Sequence, residues 1–178
     1  GHDRSLVAKV DALTDGATGL LGHNIVAFDQ PALSVLHPGL ALHRLPLIDT
    51  LELSPIAFPR NPYHKLVKDY RLCTTSRNDP VRDAELAYQL FRDEYAALKE
   101  RATESPDTLL CLHALMGGEE NAGPARIFRA VRHSAPPSLE ETVAAWTRAT
   151  EGKVCLTAHR RLITDWLPDP EWRKPLAY

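Results

Sequence analysis

The chain has 178 residues, with 21 lysines and arginines against 23 aspartates and glutamates and 44% hydrophobic residues. This apolar content is enough for a buried core, so we expect one domain or one and a half, folded and of mixed class. The net charge of −2 argues against non-specific coating of nucleic acid, because such binding depends on lysine and arginine. No run of roughly 20 apolar residues and no signal-peptide pattern is present, so we expect a cytoplasmic protein that does not bind membranes.

In the first half, short apolar runs alternate with turn signals, which predicts an α/β arrangement. Pro31 falls in the first turn of one predicted helix, where its missing N–H is tolerated. Three prolines at positions 55, 59 and 62 predict a loop after the second strand. The predicted elements are a helix over 6–13, a strand over 19–22, a helix over 28–36, a strand over 45–51 and a short helix over 63–70.

The second half contains only helical signals. Asp79 followed by Pro80 is a natural N-cap and first helical residue, so a helix should run from Pro80 to about residue 102. Further helices are predicted over 109–116, 125–131, 138–149 and 154–166, with a capping box from Ser138 to Glu141 and a cap at Ser105 before Pro106. We therefore predict an α/β domain over residues 1–102 and an all-α extension over residues 103–178.

The three cysteines, Cys73, Cys111 and Cys155, are widely spaced and odd in number, so we expect reduced thiols in the core and not a disulfide framework. Cys155 and His159 have the i, i+4 spacing of two metal ligands on a helix. No second pair accompanies them, so a place in a helical core is the favoured interpretation.

The most specific local feature is the segment from Gly22 through His23 and Asn24 to Asp29, in which a strand end leads into a polar turn and then a carboxylate. A strand holds such a turn rigidly, and carboxylate oxygens are ligands that magnesium prefers. The alternative is that Asp29 only caps the following helix, which is a frequent role of aspartate.

This segment, with Leu33, resembles the second motif of the DEDD exonuclease superfamily, which has the ribonuclease H-like fold. The run from Ile48 to Leu51 is similar to the family's strand that enters a leucine-rich helix. The run from Asp83 to Ala87 resembles its last motif, in the histidine branch of the family. The resemblance covers roughly residues 6–100 and implies a 3′–5′ exonuclease that hydrolyses terminal phosphodiester bonds of DNA or RNA.

The resemblance also implies a metal site, because family members hold two Mg²⁺ or Mn²⁺ ions with four carboxylates. Two of these match Asp29 and Asp83. The other two form an Asp-x-Glu pair that would lie upstream of Gly1, so we expect an N-terminally truncated domain that is inactive alone and binds both ions only in the full-length protein. By the same resemblance, His23, Asn24 and Phe28 are candidates for substrate binding. For His23, a hydrogen bond within the turn is favoured over a catalytic role, and Asn24 either contacts the substrate or orients the loop.

The family's general base stands five residues before the last aspartate, and here that position is Asn78. A neutral amide orients a water molecule but does not take its proton. His64 and Asp69 repeat the spacing of the family's histidine and aspartate, and we interpret this as coincidence. Asp49 follows a strand near the site, and a turn-capping role is favoured because the family counterpart does not bind metal.

A basic stripe on one predicted helix, formed by Arg126, Arg129, Arg132 and His133, either contacts phosphates or forms a solvated helix face, and the second is favoured. Residues 45–178 also resemble the region that precedes a RecQ-type helicase, so a helicase module in the same polypeptide is an expected partner, beside single-stranded or 3′-ended nucleic acid. The rival interpretation is a catalytically degenerate module of a DNA repair or helicase protein that only binds nucleic acid or protein. No Gly-x-Ser-x-Gly element supports an α/β-hydrolase-like domain.

Overall fold

The computed structural model describes residues 2–61, 79–116 and 122–151, with side chains from residue 5 onward. By their contacts, the residues divide into two compact units, Gly1–Glu52 with Tyr63–Phe91 and Leu53–Pro62 with Arg92–Tyr178. The predictions for the helices over 63–70 and 154–166 lie outside the described residues. So do those for the residues Asn78, His64, Asp69, Cys73, Cys155 and His159.

The first unit is built on a small parallel sheet. Strand β1 (Leu20–Gly22) pairs with β2 (Leu47–Asp49), in a register that places Leu21 opposite Ile48 and Gly22 opposite Asp49. Helix α1 (His2–Thr14) precedes the sheet. The connection between the strands contains a π-helical turn (Ile25–Asp29), helix α2 (Gln30–Leu36) and a 3₁₀ turn (Ala41–Arg44). The predicted mixed α/β character of this half is therefore confirmed.

Helical structure after β1 begins earlier than predicted. The sequence indicated a helix from residue 28, but the π-helical turn starts at Ile25 and is closed by the Gln30 N–H, which donates to the Ile25 carbonyl. Helix α2 then continues to Leu36 with Pro31 near its start, as predicted. Single π turns of this kind occur mostly within helical segments and frequently at functional sites.

The prediction of a loop from the three prolines is wrong at Pro55, which lies within a helix. Helix α3 (Thr50–Ala57) directly follows β2 and includes Pro55. A proline at this position removes one backbone hydrogen bond, but the helix ends only two residues later. The side chains of Leu53 and Ile56 are buried at 2% and 3% exposure, so burial of this segment outweighs the lost bond.

Helix α4 (Pro80–Glu104) starts where the sequence predicted. The Asp79 carboxylate accepts hydrogen bonds from the N–H groups of Val81 (3.1 Å) and Arg82 (3.2 Å), which confirms Asp79 as the N-cap. Along the helix, the buried positions Leu86, Leu90 and Leu98 recur at intervals of four and eight residues, as expected for a helix with one buried face.

The second unit contains three further helices, α5 (Pro106–Met116), α6 (Gly123–Arg132) and α7 (Leu139–Ala149), and α5 contacts both of the others. The predicted capping box of α7 is confirmed, because Ser138 and Glu141 exchange side-chain to backbone hydrogen bonds of 3.2 and 2.7 Å. Cys111 is a buried free thiol, as expected, and burial raises its pKa to about 11.

The basic stripe on α6 is only partly a solvated face. Arg126 and His133 are exposed, but Arg132 extends to α5, where its guanidinium lies 2.5 Å from Nδ1 of His113. His113 is 1% exposed and its ring stacks on Phe128 at a centroid distance of 5.3 Å. Because Arg132 is a donor only, Nδ1 of His113 must be the acceptor. The prediction of a solvated helix face is wrong at Arg132, because its long side chain donates a hydrogen bond to Nδ1 of the buried His113.

In the described part of the chain, no helix is long and apolar enough to cross a membrane.

Candidate functional site

A sharp polar turn connects β1 to the π-helical segment. His23 follows the strand, and Asn24 adopts the left-handed conformation with φ 62° and ψ 23°, which asparagine tolerates better than most residues. Gly22 is required at the strand end, since a Cβ there would lie 2.8 Å from Cβ of Ile25. The turn therefore depends on the close approach of Gly22 to Ile25.

Asp49 at the end of β2 holds this turn in place. Its carboxylate is 4% exposed and accepts three backbone hydrogen bonds, from the N–H groups of Asn24 (2.8 Å), Val26 (3.1 Å) and Leu51 (2.9 Å). A buried carboxylate is stable when charge-assisted bonds of this kind satisfy it. The predicted turn-capping role of Asp49 is thus confirmed.

His23 is held by a second side chain from the start of α3. Its Nδ1 lies 2.8 Å from Oγ1 of Thr50, and the Thr50 hydroxyl donates to the Gly22 carbonyl at 3.3 Å. Both bonds form together only when Nδ1 of His23 carries a proton, because the hydroxyl has one proton to donate. Burial lowers the pKa of His23, while the charge of Asp49 opposes this effect. The lowered pKa favours the neutral imidazole of His23 at pH 7.

The carboxylate of Asp29 is not used for helix capping. Asp29 precedes α2, but its backbone is helical and its side chain makes no capping hydrogen bond. The side chain is exposed at the end of the π-helical turn. The alternative interpretation of Asp29 as a helix cap is therefore wrong, and its oxygens have no hydrogen-bond partner among the described residues.

Asp83 lies in the first turn of α4, one turn after the Asp79 cap, and its side chain is exposed. Its backbone N–H donates to the Asp79 carbonyl at 2.9 Å. A negative side chain near a helix N-terminus interacts favourably with the helix dipole. Within the described ranges, no side chain donates a hydrogen bond to this carboxylate.

An open cleft of about 570 Å³ brings the two aspartates together. One wall comes from the end of β1 and the π-helical turn, and the other from the first two turns of α4. The lining residues are Leu21, Gly22, His23, Ile25, Phe28, Asp29, Pro80, Asp83, Ala84 and Ala87. Four of the residues that the sequence indicated as a site, His23, Phe28, Asp29 and Asp83, thus line one cavity.

Phe28 is the most unusual residue of the cleft, because its aromatic side chain is 70% exposed. Asn24 belongs to the supporting turn, where its backbone N–H binds Asp49, and it does not line the cleft. Sequence reasoning did not identify Thr50, which is fully buried and orients His23. The sequence signal that could have identified Thr50 is a polar residue directly after a buried strand.

The cleft partly fits a divalent cation. Carboxylate oxygens are suitable ligands for Mg²⁺ and Mn²⁺, and Asp29 and Asp83 supply them from two different elements. Among residues 5–61, 79–116 and 122–151, no group of three or more His, Cys, Asp or Glu side chains is placed to hold a metal ion. In the described part of the chain, the cleft therefore offers a metal ion two carboxylate ligands, those of Asp29 and Asp83.

No protein-family model matches the chain, and no curated protein or solved structure matches it either.

Proposed function

We propose that this chain belongs to a metal-dependent 3′–5′ exonuclease of the DEDD type, with a ribonuclease H-like fold, that hydrolyses terminal phosphodiester bonds of DNA or RNA in the full-length protein. One observation carries the proposal. Asp29 and Asp83, which lie more than 50 residues apart in the chain, line the same open cleft, and neither carboxylate accepts a hydrogen bond from the described residues.

Asp29 and Asp83 are proposed to hold a divalent cation, Mg²⁺ or Mn²⁺. When bound, such an ion neutralises phosphate charge and supplies a nucleophilic water-derived oxygen at neutral pH. Without a cation, the two carboxylates repel a phosphate group, since no lysine or arginine is among the described residues that line the cleft. Binding of nucleic acid in the cleft should therefore depend on the metal.

The remaining cleft residues are proposed to position the terminal nucleotide. Phe28 offers an exposed aromatic face on which a base stacks, and such stacking tolerates any base. His23 is held by Thr50 and its lowered pKa favours the neutral imidazole, so it adds a hydrogen-bonding ring without adding positive charge. Asn24 does not line the cleft and is proposed to support the substrate site through its turn, where its backbone N–H binds Asp49. By the resemblance, Asn78 is proposed to orient the attacking water.

A binding module without catalysis is the second candidate, and one observation favours it. The residue at the position of the family's general base is Asn78, whose amide does not take a proton at neutral pH. In this case the cleft retains its metal and nucleotide affinity, and the protein, with a helicase module in the same polypeptide, holds 3′ ends without cleaving them.

Metal binding is the first test. Mn²⁺ titrated into the 178-residue chain should broaden the NMR signals of the cleft methyl groups of Leu21, Ala84 and Ala87, as a paramagnetic ion affects nearby nuclei. The variants Asp29→Asn and Asp83→Asn should lose this effect. Asp15→Asn is the matched control, because Asp15 is exposed outside the cleft. Equal broadening in Asp29→Asn and in the unaltered chain would refute the proposed metal site.

Hydrolysis is the second test, made on the protein with the N-terminus that its gene encodes. Release of mononucleotides from the 3′ end of a labelled oligonucleotide should require Mg²⁺ or Mn²⁺ and should disappear in Asp29→Asn and Asp83→Asn. Asn78→His should raise the rate by supplying a proton acceptor. Metal-dependent binding without release of nucleotides would establish the binding module in place of the exonuclease.

A further inference from the structure

Next to the cleft, helix α4 exposes large apolar side chains to solvent. Val81 is 70% exposed and Tyr88 is 56% exposed. Together with Ala84 they stand at positions i, i+3 and i+7, so the three residues share one face of the helix. Ala84 also lines the cleft, which means that the apolar face is continuous with the cleft wall. We call Val81 and Tyr88 the α4 flank.

The chemistry of the α4 flank favours a planar ligand. Buried apolar residues stabilise a fold, but an exposed tyrosine contributes little to the core and presents an aromatic face to solvent. The cleft has a similar exposed aromatic group in Phe28. Successive exposed aromatic side chains are typical of surfaces that bind single-stranded nucleic acid through its bases.

The geometry of the helix limits which base reaches Tyr88. Ala84 and Tyr88 are one turn apart, or about 6 Å along the helix axis at 1.5 Å per residue. Successive nucleotides of one strand are separated by about 3.4 Å in a stacked arrangement and by more when extended. The 6 Å step exceeds one stacked spacing, so it is an extended strand with its terminal nucleotide against Ala84 that brings its next base to the α4 flank.

We propose that Tyr88 is the platform for the second nucleotide of a single strand whose terminal nucleotide lies in the cleft. This inference rests on the proposed function, since it assumes a nucleic-acid end at Asp29 and Asp83. Val81 provides an apolar contact beside the tyrosine on the same face. A base in a regular duplex has both faces stacked on its neighbours, so this platform selects an unpaired end of at least two nucleotides.

The test compares a mononucleotide with a dinucleotide, using the 178-residue chain by calorimetry with Mg²⁺ present. The probes are thymidine 5′-monophosphate and a thymidine dinucleotide with an uncleavable phosphorothioate linkage. The unaltered chain should bind the dinucleotide about ten-fold more tightly, which lies within the range for one stacked base. Tyr88→Ala should lose this gain and leave the mononucleotide affinity unchanged, whereas Tyr88→Phe should keep it.

Leu13→Ala is the matched control, because Leu13 is 83% exposed on α1 in the same unit and is expected to have no effect. Equal affinities of the unaltered chain for the two probes, or a dinucleotide gain that survives in Tyr88→Ala, would overturn the inference. So would a dimer that dissociates on Tyr88→Ala in sedimentation experiments, since the α4 flank would then bind a second copy. Loss of Mg²⁺ dependence for the mononucleotide, with the Tyr88-dependent gain retained, contradicts the proposed function alone.

Discussion

The buried carboxylate of Asp49 offers a direct test of how the site is supported. Oδ1 accepts hydrogen bonds from the N–H groups of Asn24 and Leu51, and Oδ2 accepts one from Val26. Asp49→Asn keeps the shape of the side chain and one carbonyl oxygen, which continues to serve two of the donors. The new NH₂ group faces the third donor, so one charge-assisted bond is replaced by two opposed N–H groups.

The expected loss of stability follows from these contacts. A hydrogen bond to a charged group contributes roughly 1.5–3 kcal/mol, and the two bonds that remain are weakened when the charge is removed. We expect Asp49→Asn to lower the free energy of unfolding of the first unit by about 3 kcal/mol. This is a large part of the roughly 5–15 kcal/mol available to a domain. The negative charge of Asp49 also supports the protonated form of His23, so the pKa of His23 should fall further in the variant.

The assay is urea unfolding followed by far-ultraviolet circular dichroism, combined with amide hydrogen exchange of residues 20–30 and an NMR titration of His23. Asp11→Asn is the matched control, because the Asp11 carboxylate accepts one backbone bond, from Ala41 at 2.8 Å, at the surface. We expect this control to lose less than about 1 kcal/mol. Equal losses for the two variants, with unchanged exchange of the Asn24 and Val26 amides, would refute the view that Asp49 holds the turn.

Two further predictions concern a buried histidine and a glycine. Burial and the charges of Arg132 and Arg129 lower the pKa of His113 to about 4, so stability is complete above the ordinary pKa of 6.5 and falls as the pH drops from 6.5 towards 4. The loss of unfolding free energy is at most about 3 kcal/mol. We therefore expect the difference in unfolding free energy between the unaltered chain and His113→Gln, measured with urea, to shrink as the pH falls from 6.5 towards 4. A difference that stays constant over this range would contradict the lowered pKa of His113. Gly22→Ala should destabilise the first unit by about 1–3 kcal/mol, because its Cβ would contact Ile25, whereas Gly16→Asn, at a left-handed position with open space, should have a small effect.

Local signals in the sequence predicted much of the architecture. The pair Asp79 and Pro80 marked the start of α4, and the capping box at Ser138 marked the start of α7. Such signals succeed because the donor and the acceptor are only two or three residues apart, so the sequence contains the whole interaction. The short strands were also found, since apolar runs between glycines and polar turns have few other interpretations.

The elements that differ from prediction depend on contacts that are distant in sequence. Pro55 indicated a loop, but burial of Leu53 and Ile56 keeps the segment helical. Arg132 is separated from His113 by 19 residues, and His23 from Thr50 by 27 residues, so neither pair has a local signature. Propensity describes the isolated chain, and tertiary burial overrides it at these positions.

The candidate site was predictable in its residue types but not in its arrangement. The resemblance to two motifs identified the segment ending at Asp29 and the segment starting at Asp83. For Asp49, the sequence favoured a turn-capping role. The side chain of Asp29 does not cap helix α2, because the π-helical turn places the backbone of Asp29 in a helical conformation. No pattern in the sequence indicated that turn.

The aspartates of the first unit show how the fold separates structural from chemical roles. Asp49 and Asp79 each cap neighbouring backbone N–H groups, which is the common use of aspartate near turns and helix ends. Asp29 and Asp83 occupy comparable positions beside helix starts, yet their carboxylates make no such bonds to the described residues and line one cleft. Two exposed like charges facing one cavity oppose each other, so the fold gains nothing from their juxtaposition unless a cation joins them. This is the physical reason for assigning Asp29 and Asp83 to chemistry and Asp49 to support.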